Sequence, residues 1–217
     1  MAPHHEERGY NAIYLTNVVN CWVARVRLMN ADSAVVLNNV DFTTVDAVYT
    51  GTTAGRATAA SPYDGHNGLS VNYGNDILFR DFHLHMVQTH DLAVHATAHV
   101  VFDQGWGRDL TFDCHRTAPW GTLWSNIRVG YGRRLYSTGG GASMGFPCAS
   151  RTTFYNLSRD VGVQTIRLPP SGSAGVCTWS TRSNFIGNFA SGTHCPQYWV
   201  YGATDADYRR LRLPQTR

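Results

Sequence analysis

Lysine is absent from this chain, and all 18 basic residues are arginine. Against 15 acidic residues they leave a formal charge of only +3, which does not single out a nucleic acid as partner. The lysine-free composition reads as codon bias in a GC-rich genome, although arginine suits planar, bidentate capture of carboxylate or sulfate wherever several converge on a groove. Long apolar runs are also missing: none reaches the roughly 18 residues of a membrane span. The polar stretch Met1 to Gly9 lacks the apolar core of a signal peptide. The five cysteines, Cys21, Cys114, Cys148, Cys177 and Cys195, contain no close pair of the kind that structural zinc sites use. Cys21 lies in an alternating apolar segment and reads as a buried thiol, whereas Cys148, Cys177 and Cys195 share a Gly/Ser/Pro-rich region with room for one disulfide.

The helical period is missing too. Short alternating runs of Val, Ile, Leu, Phe and Thr recur between Asn, Gly and Asp, which predicts strands and an all-β fold. With 217 residues, 43% of them apolar, one domain over 1–217 is expected, with regular coils over about 11–136 and looser coils and loops over 137–217. The organising feature is self-similarity. Ile13, Leu15, Cys21, Val23, Val26 and Leu28 return as Leu69, Val71, Ile77, Phe79, Phe82 and Leu84, each displaced by 56 positions. Leu110, Phe112, Trp124, Ile127 and Val129 return again, the offset growing from 41 to 45 at an insertion near Pro119. Val35 and Leu37 repeat Ile13 and Leu15 after 22 residues, and Leu92 and Val94 repeat Leu69 and Val71 after 23. A period near 22 defines one coil, whose apolar face is buried only by the coils above and below. Asn and Gly at Asn17, Asn20, Asn38, Asn39, Gly65, Asn72, Gly74 and Asn75 supply the backbone conformations of sharp corners.

From Asn11 to about Arg134 these residues resemble the pectate-lyase-like superfamily of right-handed parallel β-helices. The resemblance implies a glycan bound in a groove along stacked coils, and with it an extracellular or cell-surface role. The chain enters its coil pattern at Ile13 with no capping helix before it, so a larger parent protein or oligomerisation through uncapped coil ends is expected.

Outward residues at equivalent coil positions form ladders about 4.8 Å apart. The position after each apolar pair reads Thr16, Asn38, Asn72, His95 and Asp113. The position before it reads Ala12, Ala34, Gly68, Asp91 and Asp109, with Arg134 next in line. Titratable groups thus concentrate on two coils. His95, Asp113, His115 and Arg116 are the candidate catalytic residues, and Asp91, Asp109, Arg134, Trp106 and Trp120 the candidate substrate-binding ones, the two tryptophans as sugar platforms in loops. A carboxylate pair would serve hydrolysis, and a His or Arg base beside a cation would serve proton abstraction next to a uronate carboxylate. The imidazoles and Arg116 among the acids favour a polysaccharide lyase over a glycoside hydrolase, and the Asn-Thr-Asp and Gln-Asp-Gly runs of polygalacturonases are missing. No metal site is assigned. The calcium-binding acids of classical pectate lyases are not recognisable, though Asp91, Asp109 and Asp113 offer oxygens for a cation such as calcium. His83 and His85 share one strand face without a third ligand, and Asp64 and His66 fall in the turn-rich Ser61 to Gly68 segment. Gly105-Trp106-Gly107 and Gly139-Gly140-Gly141 read as loops. A non-catalytic module for glycan binding, adhesion or structure is the rival reading.

Overall fold

The computed structural model describes residues 10–57, 61–162, 165–169, 178–180, 182–190, 195 and 198–202. They form an all-β fold in which 13 strands join one largely parallel sheet. The strands on one face are β1 (Tyr10–Val19), the first half of β3 (Ala31–Gly51), β4 (Gly65–Asn72), β6 (Gln88–His95) and β9 (Phe112–Cys114). A second face stacks β2 (Trp22–Met29), the second half of β3, β5 (Asn75–Leu84), β7 (Ala98–Asp103), β10 (Leu123–Ser125), β11 (Thr152–Tyr155), β12 (Ser183–Gly187) and β13 (Trp199–Gly202). The far ends of β2, β3 and β5, with β8 (Trp106–Gly107) and bridges at Arg128 and Ser158, continue as a third row. Every strand pair between these layers is parallel, an arrangement compatible with a β-helix. No helix among the described residues is long and apolar enough to cross a membrane.

The spacings of the sequence reappear as register. Ile13 pairs with Val35, Val35 with Leu69, and Leu69 with Leu92. Val23, Val45, Phe79, Phe102, Trp124, Phe154, Phe185 and Val200 form one inward column. Its aromatic members stack nearly flat, with centroids 4.6 Å apart for Phe79 and Phe102, 4.4 Å for Phe102 and Trp124, and 5.0 Å for Phe154 and Phe185. Such offset stacks add to the burial of large rings, and they carry the core through Phe154 and Phe185, where the sequence pattern loosens.

Corners explain the rest of the sequence. Asn17, Asn39, Tyr73 and Ala96 occupy one column of left-handed residues, and Arg25, Ala47, Asp81, Gln104, Asn126 and Asn156 another. Asn side chains suit both the dihedrals and the ladder: Asn39 Nδ2 donates to Asn17 Oδ1 at 2.7 Å, and Asn156 Nδ2 to Asn126 Oδ1 at 2.8 Å. Ala47 holds φ 53° with no such compensation. Ala47→Gly is therefore expected to raise stability by roughly 0.5–1 kcal/mol, the left-handed penalty less the extra entropy of glycine. A urea midpoint that falls would contradict this.

Two expectations about local structure are corrected. Trp106–Gly107 is strand β8 paired with β5, because a side chain at Gly105 would collide with the Phe82 ring and one at Gly107 with Leu110, so glycine admits the core at that layer. Cys21 is half-buried, its thiol donating to the Val19 carbonyl at 3.5 Å.

Candidate functional site

At the end of the first face, Leu92 pairs with Phe112 and Val94 with Cys114, not with Leu110 and Phe112 as the apolar spacing suggests. This shift of two residues changes which groups meet. Asp91 lines up with Thr111, Ala93 with Asp113, and His95 with the residue after Cys114, His115, whose backbone N–H donates to Val94 at 2.8 Å. Asp109 leaves the column that contains Asp91. Since Phe112 and Cys114 face the core, Asp113 faces the other way.

There the Asp113 carboxylate is fully buried beneath a covering segment. Its Oδ2 lies 2.6 Å from His90 Nδ1 and 2.8 Å from His115 Nδ1, and its Oδ1 accepts the Gly139 N–H at 2.9 Å. Burial pushes the Asp113 carboxyl up, but hydrogen bonds from His115 and His90 and the charge of both rings prevail and hold it at about 2. The hydrogen bond to Asp113 raises His115 above the ordinary histidine value, against burial and the nearby charge of Arg116. His95, with its ring centroid 5.4 Å from that of His115, is lowered by burial and by its charged neighbour. His66 and Tyr73 extend the row, 5.2 Å from His90 and 5.3 Å from His95.

Three features fasten the cover. Cys114 and Cys148 form a disulfide with Cα atoms 5.1 Å apart, so the pairing of Cys148 runs back to β9. It does not stay within the region that holds Cys177 and Cys195. Cys195 is also disulfide-bonded, and Cys177 lies outside the described residues. Arg116 does not point at an open cleft: its guanidinium donates to the carbonyls of Gly140, at 3.1 Å, and Gly145. Gly139 must be glycine, because a Cβ there would run into the His115 and His90 rings. Arg116, Thr117 and Ala118 are all left-handed, at φ 65°, 59° and 57°, a run of strained backbone directly beside the site.

The remaining acids serve the scaffold. Asp91 accepts the N–H of Gln88 at 2.8 Å, the N–H of Thr111 at 3.0 Å and the Arg134 guanidinium. Burial pushes it up to about 6 despite Arg134 and these backbone bonds. Asp109 accepts the N–H and Nε of Arg133 at 2.9 and 3.0 Å, and its carbonyl accepts from Arg134. Both carboxylates are buried and satisfied. Asp64 likewise accepts the Arg56 and Val87 N–H groups.

Trp106 sits in the third row, donating to Asp160 at 2.6 Å and packing 4.6 Å from His85, which in turn packs on Tyr49. Trp120 packs 4.6 Å from His99. Among the described residues neither has a ring contact with His90, His95 or His115. Among the described residues, His90, Asp113 and His115 bring three donors within 4.8 Å of one another and could hold a cation. As they stand, two N–H groups share one carboxylate oxygen, a hydrogen-bonded arrangement.

Sequence reasoning assembled His95, Asp113 and His115; it noted His90 just before Asp91 and His66 as a possible groove-wall residue in a turn-rich loop, but left both out of the candidate set. The signal for His66 was the start of β4 at Gly65, inside what reads as a turn. No protein-family model matches this chain, and comparison with curated proteins and with solved structures gives no match either.

Proposed function

We propose that this chain is a carbohydrate-active enzyme of right-handed parallel β-helix architecture that cleaves an extended acidic polysaccharide by β-elimination. The right hand is the one that parallel crossovers adopt almost without exception. The observation that carries the reading is the Asp113 carboxylate clamped between His90 and His115. A carboxylate that accepts Nδ1–H fixes the tautomer and leaves the basic lone pair on Nε2. His115, the half-exposed member, is then the general base. It takes the proton from the carbon next to a uronate carboxylate, the electron pair forms the new double bond, the neighbouring C–O bond breaks as its oxygen takes a proton from water, and His115 then returns its own proton to solvent. Arg116 acts by holding the cover beside His115, its guanidinium bonded to the Gly140 and Gly145 carbonyls. Hydrolysis is the weaker reading, since it calls for two working carboxylates, and Asp91 and Asp109 are buried under scaffold donors. An extracellular setting agrees with the Cys114–Cys148 disulfide.

The test is incubation with polygalacturonate, alginate and a glucuronate-containing glycan, following the ultraviolet absorbance of unsaturated products and then reducing ends. Unsaturated products are the expected result. Reducing ends alone would replace the lyase by a hydrolase, and retention of glycan without turnover would leave a binding module.

A further inference from the structure

Away from the histidine cluster, the later layers of the second face form a groove of about 410 Å³ lined by Ser150, Arg151, Arg182, Ser183, Asn184 and Trp199. Register builds it. Thr153 pairs with Asn184 and Asn184 with Trp199, while the Arg151 N–H donates to the Arg182 carbonyl at 3.0 Å, so the two arginines stand on adjacent layers, about 4.8 Å apart along the stack. Among the described residues no carboxylate pairs with either guanidinium, whereas Arg80, Arg128, Arg133 and Arg134 each have an aspartate partner. Arg151 is held at φ 63°, a left-handed conformation that costs a non-glycine residue about 1–2 kcal/mol, and among the described residues its side chain has no hydrogen-bond partner. Trp199 is 64% exposed, and no ring among the described residues stacks on it.

Two like charges one layer apart repel unless an anion lies between them. Guanidinium forks match carboxylate and sulfate oxygens, a free indole face suits the apolar face of a sugar ring, and Asn184 and the serines offer hydrogen bonds to hydroxyls. The volume falls within the range of small-ligand sites. We infer that this groove is a binding subsite for an anionic sugar unit, one carrying a carboxylate or a sulfate ester. It rests on the acidic-glycan reading above and adds a second point of attachment for the same polymer, remote from the reacting bond.

The experiment measures binding in His115→Asn protein, so that no turnover intervenes. The probes are polygalacturonate, dextran sulfate and neutral dextran at low and moderate salt. The expected result is retention of polygalacturonate or dextran sulfate, but not dextran, falling at least tenfold in Arg151→Gln/Arg182→Gln and in Trp199→Ala, with an unchanged urea midpoint. Which of the two polymers binds tells carboxylate from sulfate. Equal binding by the parent and the double variant, or equal retention of neutral dextran, would overturn the subsite. Loss of polymer binding together with absence of any turnover by the unaltered chain would sink the enzyme reading and keep the subsite.

Discussion

His115→Asn is expected to lower kcat/KM on the uronate polymer by about 10²–10⁴, the usual contribution of a positioned general base. The ring is held by one hydrogen bond to Asp113 and makes the cover fit against Gly139, but it is not part of the aromatic core. The pH profile carries the sharper test. His115 acts when neutral, and its bond to Asp113 raises its protonation point, so activity should rise with pH through an inflection above the ordinary value of about 6.5. Asp113→Asn removes that support and leaves burial and Arg116 to lower the ring, so the inflection should fall below about 6.5 as turnover falls. Stability should follow the same pair. The lowered Asp113 carboxyl stabilises the fold above the unfolded value of about 3.9 and loses its contribution as pH falls toward 2; the raised His115 contributes below about 6.5 and loses it as pH rises through its folded value. Asp113→Asn should therefore destabilise most between those limits. A pH profile identical in parent and Asp113→Asn would refute the assignment.

Opening the Cys114–Cys148 bridge is expected to be the most damaging change to stability. The two cysteines are 34 positions apart, and closing a loop of that length restricts the unfolded chain by roughly 3–4 kcal/mol. Both sulfurs are fully buried, so Cys114→Ala with Cys148→Ala removes the link without stranding a polar group in the core. The site should feel the loss, because Cys114 separates Asp113 from His115 in β9 and Cys148 closes the segment whose Gly139 N–H and Gly140 and Gly145 carbonyls bind Asp113 and Arg116. Denaturant midpoints with and without reductant, and kcat/KM under the same conditions, check both effects. A change in unfolding free energy below about 1 kcal/mol would show that the unfolded chain is already restrained there.

The parallel layers were legible because each coil repeats one core pattern: the 56-residue displacement from Val23 to Phe79 is a real alignment of layers, and so is the 45-residue step from Phe79 to Trp124. The register of the last coil on the first face was not legible. Leu110, Phe112 and Cys114 are all buried at alternate positions, so apolar character alone cannot say which two continue Leu92 and Val94. That ambiguity put Asp109 in line with Asp91, and Asp113 in the place His115 takes. The cover over Asp113 was invisible for a related reason: Gly139 to Gly145 carries no apolar pattern and is set by a distant cysteine and by Arg116. The tryptophans were singled out for their rings, but Trp106 follows its strand partner His83 into the third row.

The column of left-handed corners from Arg25 to Asn156 runs through successive layers without interruption, whereas the large changes in repeat length fall elsewhere, between β3 and β4 and between β10 and β11. Those connections are the graft points of the scaffold. Chain can be added at their tips provided the anchors Leu135 and Cys148 stay in place, and the second of them already carries the lid of the histidine pocket. A search for new specificities in this architecture should randomise those joints and leave the corners alone.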